Sequence, residues 1–213
     1  SYMKMLYKYP QAAYPYGDLI KQNGQRTRND MEYELLDTGV FHEDRYFDVF
    51  IEYAKAETED ILVKISAINR GPEIAELHLL PTVWFRNDWS SWIADSNRAA
   101  VKPMLRSVET QKGISSVHVS HPKLGEYILS CEGDVPLLFT ENETNHEKLF
   151  PGTKNESPHV KDGINDYVVN GKQDAVNPEK KGTKASAHYR LNIGPGETSV
   201  IKLRLSKKGS GQK

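Results

Sequence analysis

A chain of 213 residues, 38% hydrophobic and 27% charged, is long enough for one domain with a substantial core and too apolar for a disordered polymer. Its 28 basic and 29 acidic residues nearly cancel to a formal charge of -1, leaving no broad field to attract nucleic acid or an anionic membrane surface. No apolar run nears the roughly 20 residues that a membrane span requires and the N-terminus lacks a signal-peptide core, so the sequence reads as soluble and cytoplasmic.

The opening stretch, residues 2–16, combines tyrosines with Pro10 and Pro15, which suits an extended segment draped over a surface, and a short helix is expected over 17–22. Strands are expected over 32–37, 45–53, 61–68, 76–85, 115–120, 126–131, 185–193 and 198–205, each bounded by turn residues. Ile61, Val63, Ile65 and Ala67 alternate with polar neighbours, Asn69-Arg-Gly-Pro72 breaks the run, and alternation resumes through Leu77, Leu79, Val83 and Phe85. That pattern predicts a hairpin. Leu80 and Trp84 make the second face of the returning strand apolar as well, so it requires cover and is a candidate interdomain surface. The predicted fold is all-β, an antiparallel sandwich with little helix, spanning 1–206 and ending in a polar tail or linker over 207–213. Residues 139–183 break the rhythm with Asn, Asp, Gly, Lys and Pro; a loop of that length is expected to be a contact surface, with Glu141, Asn142 and Asn165 in it.

Few residues invite chemistry. Cys131 is the only cysteine and follows Tyr127 and Leu129 on an alternating face, which marks a buried structural thiol. His118 and His121 are the only closely spaced histidines in a strand, on opposite faces, so surface or turn histidines are expected rather than a metal site. Acidic groups at Glu43, Asp44 and Asp48, and at Glu141 and Glu143, admit a glycosidic carboxylate pair, with solvated loop carboxylates as the favoured alternative. Two glycosylation sequons start at Asn142 and Asn155 and carry little weight by themselves. No nucleophile elbow, phosphate loop or dinucleotide fingerprint is present, and no cofactor is implied. The richest stretch runs from Trp84 to Trp92. Trp89 and Trp92 offer indole faces for sugar C–H groups and Arg86 and Asn87 offer donors for hydroxyls, the alternative being core or interface packing of the tryptophans.

Seven motifs carry a family likeness: YKYPQAA at 7–13, ELLDTG at 34–39, DRYFDV at 44–49, LLPTVWFRN at 79–87, LFTENETN at 138–145, VKDGIN at 160–165 and GTKASAHY at 182–189. Together they resemble the N-terminal region of bacterial-type glycoside hydrolase family 63 proteins, relatives of the processing mannosyl-oligosaccharide glucosidases. The resemblance implies a β-supersandwich preceding an (α/α)6 barrel in a longer polypeptide that hydrolyses α-glucosidic bonds with inversion. The partners it implies are that barrel and an oligosaccharide substrate. The family's acid and base lie in the barrel, so no catalytic residue carries over to any position here. The loop Asp88-Trp-Ser-Ser-Trp-Ile-Ala-Asp95 departs from the family's compact Trp-Ser-Trp sequence. An autonomous carbohydrate-binding sandwich and a protein-interaction module are the alternatives.

Overall fold

The structure, a computed structural model, describes residues 1–90 and 101–209. In chain order it contains β1 (Tyr2–Pro10), α1 (Tyr16–Gly24), β2 (Tyr46–Glu57), β3 (Asp60–Asn69), β4 (Ala75–Leu79), β5 (Thr82–Trp84), β6 (Met104–Val108), β7 (Ile114–His121) and β8 (Gly125–Glu132). There follow β9 (Leu137–Thr140), α2 (His146–Leu149), α3 (Gly163–Asn170), β10 (Lys181–Gly182), β11 (Lys184–Ala187), β12 (Tyr189–Ile193) and β13 (Thr198–Lys207). The named strands pair antiparallel and the described helices are short, so the fold is all-β as expected. The chain divides into two compact units. The first comprises Ser1–Ala54, Val63–Leu77 and Arg190–Ile201, and the second the described residues of Lys55–Leu62, His78–Tyr189 and 202–209.

In the first unit β2 lies between β1 and β3, and β13 follows β3. β1 runs along β2 from Tyr2 opposite Ala54 to Pro10 opposite Tyr46. Phe47 and Val49 of β2 and Ile65 and Ala67 of β3 are buried, with exposed Lys64 just before Ile65 and half-buried Ser66 between the last two. Each large apolar side chain removed from water contributes about 1.5–3 kcal/mol, which fixes the inward face. Leu77 of β4 and Ile193 of β12 are buried in a separate two-stranded sheet.

In the second unit the strand order is β13-β8-β7-β6-β10, and a separate sheet has the order β5-β11-β9. The β7–β8 hairpin runs from Ile114 opposite Glu132 to His121 opposite Gly125. Leu105, Val117, Val119, Leu129, Cys131 and Leu203 are buried on the first of these sheets, and Leu138, Phe139, Ala185 and Ala187 on the second.

Several elements differ from the sequence expectation. The predicted β3–β4 hairpin does not form, since β3 lies between β2 and β13 while β4 pairs with β12. The expected strand over 76–85 breaks at Leu80-Pro81, because Pro81 has no N–H for a ladder; its carbonyl instead accepts from Ala187 N at 3.1 Å. The expected strand at 32–37 is a 3-10 turn over Leu35–Thr38, in which the Glu34 and Asp37 side chains cap each other's backbone and Gly39 closes the turn at φ 71°. Residues 2–10 form a strand, not a drape. His118 is buried rather than a surface residue, with its Nε2 2.6 Å from Glu126 Oε2 and its Nδ1 accepting from Arg106 Nε. The segment 139–183 is not a structureless loop: it holds the end of β9, α2, α3 and β10 and buries Val160 and Ile164.

Candidate functional site

Four of the seven motifs meet in the second unit. Phe85 N donates to Thr183 O, and the Asn142 side-chain amide donates to Phe85 O at 2.7 Å. Asn142 N donates to Thr183 Oγ1 at 2.8 Å, and that hydroxyl donates in turn to Glu141 Oε2 at 2.7 Å. Lys161 N donates to Glu143 O, and Lys184 Nζ to Lys161 O. Segments from about residue 80 to residue 189 are thus fastened at one place by groups whose partners are backbone carbonyls and buried hydroxyls. Such bonds are costly to leave unmade away from water.

At the centre of this junction Lys102 Nζ lies 2.8 Å from Glu143 Oε1 and 3.1 Å from Glu141 Oε2. Glu143 is buried and also accepts from the Trp89 indole N–H at 2.8 Å, while the ammonium sits 5.9 Å from the indole centroid. Burial pulls the Lys102 pKa down, but the Glu143 hydrogen bond and the Glu141 charge outweigh it and hold the ammonium above the usual lysine range. An open cavity of about 200 Å³ adjoins Glu143, lined by Ser90, Thr144, His146, Thr153, Lys154, Glu156 and Val160. Lys184 behaves oppositely: burial, and then the Lys161 charge, lower its pKa.

The expected sugar-contacting residues divide. Arg86 is exposed on the stretch after β5. Asn87 closes a turn, its Oδ1 accepting from Trp89 N and Ser90 N and its Nδ2 donating to Ser90 Oγ at 2.7 Å. Trp89 has its polar edge committed to Glu143, and Trp92 lies outside the described residues. Of the expected interdomain residues, Leu80 is half-buried, Trp84 is 56% exposed, Glu141 and Asn142 belong to the junction, and Asn165 is exposed on α3. Both sequon asparagines have their amides engaged, Asn142 with Phe85 O and Asn155 with Asn145 Oδ1. Sequence reasoning missed Lys102, which has no local signal, and the hydroxyl of Thr183, which lies in a quoted motif.

Of the remaining three motifs, those at 7–13 and 44–49 meet in the first unit at Asp48. Its buried carboxylate accepts from Lys8 Nζ and from Arg70 Nε, each at 2.7 Å. Glu43 is held by Arg45 at 2.9 Å. Of the acidic cluster suggested by the sequence, Glu43 and Asp48 are thus ion-paired and Asp44 is exposed. Among the described residues no group of three or more His, Cys, Asp or Glu side chains gathers as a metal site.

No protein-family model matches the chain. It is similar to the uncharacterized protein YMR196W of Saccharomyces cerevisiae, with 37% identity over 236 aligned residues. That match takes in 97% of this chain and 21% of the yeast protein, so the chain spans about a fifth of the length of the curated relative it matches. Among the described residues no helix is long and apolar enough to cross a membrane.

Proposed function

We propose that this chain is the non-catalytic N-terminal region of a longer, family 63-like inverting α-glucosidase, in which it supports an (α/α)6 barrel and shapes the rim where an oligosaccharide binds. The observation that carries this reading is the single ammonium between Glu141 and Glu143. Inversion needs two carboxyl groups roughly 6.5–9.5 Å apart with a water between them. The nearest oxygens of Glu141 and Glu143 instead converge on one Nζ, at 3.1 and 2.8 Å, so a cation occupies the place between them that the water would need. A carboxylate pair bridged by one lysine ammonium fastens a loop instead of moving protons. The seven motifs, the all-β fold and the similarity to one part of a much longer protein support the same reading.

The experiment is incubation of the 213-residue chain with aryl α-glucosides and gluco-oligosaccharides. No turnover above background is expected. Turnover that disappears in Glu141→Gln or Glu143→Gln would overturn the reading by moving the active site into this chain. The second reading, an autonomous carbohydrate-binding module, draws on the half-exposed indole of Trp84. Glycan binding by the isolated chain that is lost in Trp84→Ala would favour it.

A further inference from the structure

Exposed apolar side chains are concentrated at one end of the chain. Of the 21 large hydrophobic residues exposed among the described ones, 11 lie between Tyr2 and Leu36. Within that group β1 has a definite geometry. Its odd-numbered residues Met3, Met5, Tyr7 and Tyr9 lie opposite Tyr53, Ile51, Val49 and Phe47 of β2 and therefore share their face. Val49 and Phe47 are 5% and 1% exposed, whereas Met3, Met5, Tyr7 and Tyr9 are 45–54% exposed. One face of the sheet is thus covered over β2 and uncovered over β1.

The other face of β1, although it exposes Leu6, carries polar and charged pairings on either side of it. Tyr2 OH donates to Glu52 Oε1 at 2.6 Å, Lys8 pairs with Asp48, and Lys4 Nζ lies 4.8 Å from the Phe50 ring centroid. The odd face carries no charge. β1 also ends the strand order, and no described strand pairs with its outer edge. Both lysines sit on the other face, so neither protects the odd face from a partner.

We infer that the odd face of β1 is a docking surface for another segment of the same, longer polypeptide, an inference that rests on the reading of this chain as one part of such a protein. Nearly four-fifths of the yeast relative lies outside the matched region, ample for a neighbouring domain. An uncharged face of methionine and tyrosine fits a permanent, core-like interface better than a transient one. A second copy added at the outer edge of β1 fits less well. Antiparallel pairing of two β1 strands about Leu6 would set Lys4 directly opposite Lys8, and like charges in that position are destabilising.

Hydroxyl-radical footprinting of the full-length polypeptide and of the 213-residue chain tests this without reading any activity. Met3 and Met5 should oxidise about tenfold more slowly in the full-length polypeptide. Met104, 44% exposed on β6, should react alike in both. Equal rates at Met3 and Met5 in the two proteins would overturn the inference. Slow oxidation in the 213-residue chain itself would overturn it too, and a rate that rises on dilution would assign the cover to a second copy. A full-length protein without glucosidase activity but with Met3 and Met5 protected would remove the enzymatic reading and leave this surface standing.

Discussion

Asn69 is fully buried and uses every hydrogen-bonding group of its side chain. Its Nδ2 donates to Glu73 O and Ile193 O at 2.7 and 2.8 Å, and its Oδ1 accepts from Gln11 Nε2 and Gly71 N at the same two distances. Asn69→Ala would leave buried carbonyls and donors without partners, and should destabilise the first unit by about 3 kcal/mol. Asn192→Ala, at an exposed position, should leave the urea midpoint unchanged. Charge at buried carboxylates predicts an acid transition. Arg204 donates to both oxygens of Asp60 and holds its pKa below the usual aspartate value. Burial raises the Asp48 pKa, but hydrogen bonds from Lys8 and Arg70 outweigh it and leave it lowered. With folded values below the unfolded one of about 3.9, both contributions are complete above that pH and are lost as pH falls through the folded values. Melting temperatures should therefore drop below about pH 4, and the difference between the parent and Asp60→Asn should be largest near neutrality and shrink in acid.

Two glycines set how closely elements approach in the second unit. A Cβ on Gly182 of β10 would lie 2.3 Å from Thr140 O of β9, and one on Gly163 at the start of α3 would lie 2.2 Å from Ala175 O. In both cases the obstacle is backbone, which cannot rotate away as a side chain tip can. Gly182→Ala should destabilise by about 1–3 kcal/mol, as overpacking generally does, and Gly171→Ala, with open space around the Cβ but φ of 67°, should cost less; chemical denaturation of the two variants decides the order. Both glycines stand in motifs read from the sequence, yet the reason for them was not readable there, since Thr140 and Ala175 are distant in the chain. What alternation alone could reveal was β2, β3, β7, β8 and β13, whose inward positions are apolar at every second residue. Pairing was less legible: nothing local to β3 and β4 says that they belong to different sheets. β1 escaped because methionine and tyrosine on one face stand against tyrosine, lysine, leucine and proline on the other, a pattern without the contrast of a buried strand. At the candidate site, Trp89 was visible as an aromatic group, but its role depends on Glu143, 54 residues further on.

On the scale of the molecule, a small net charge and a one-sided apolar surface act together. At a formal charge of -1 and an isoelectric point near 6.7, the chain has little electrostatic repulsion at neutral pH. The half-exposed Met3, Met5, Tyr7 and Tyr9 then meet no long-range barrier to association. The isolated chain should scatter most light near its isoelectric point and progressively less as pH moves roughly two units to either side, where net charge grows. Exchanging Tyr7 and Tyr9 for lysine adds two positive charges on the uncovered face and moves the isoelectric point upward. That variant should scatter less than the parent at pH 6.7, and should still do so at each protein's own isoelectric point, because the apolar face itself has been interrupted. Static light scattering of both proteins across this range separates the two contributions. If the variant merely shifts the maximum to higher pH without lowering it, net charge alone governs association and the face of β1 takes no part in it.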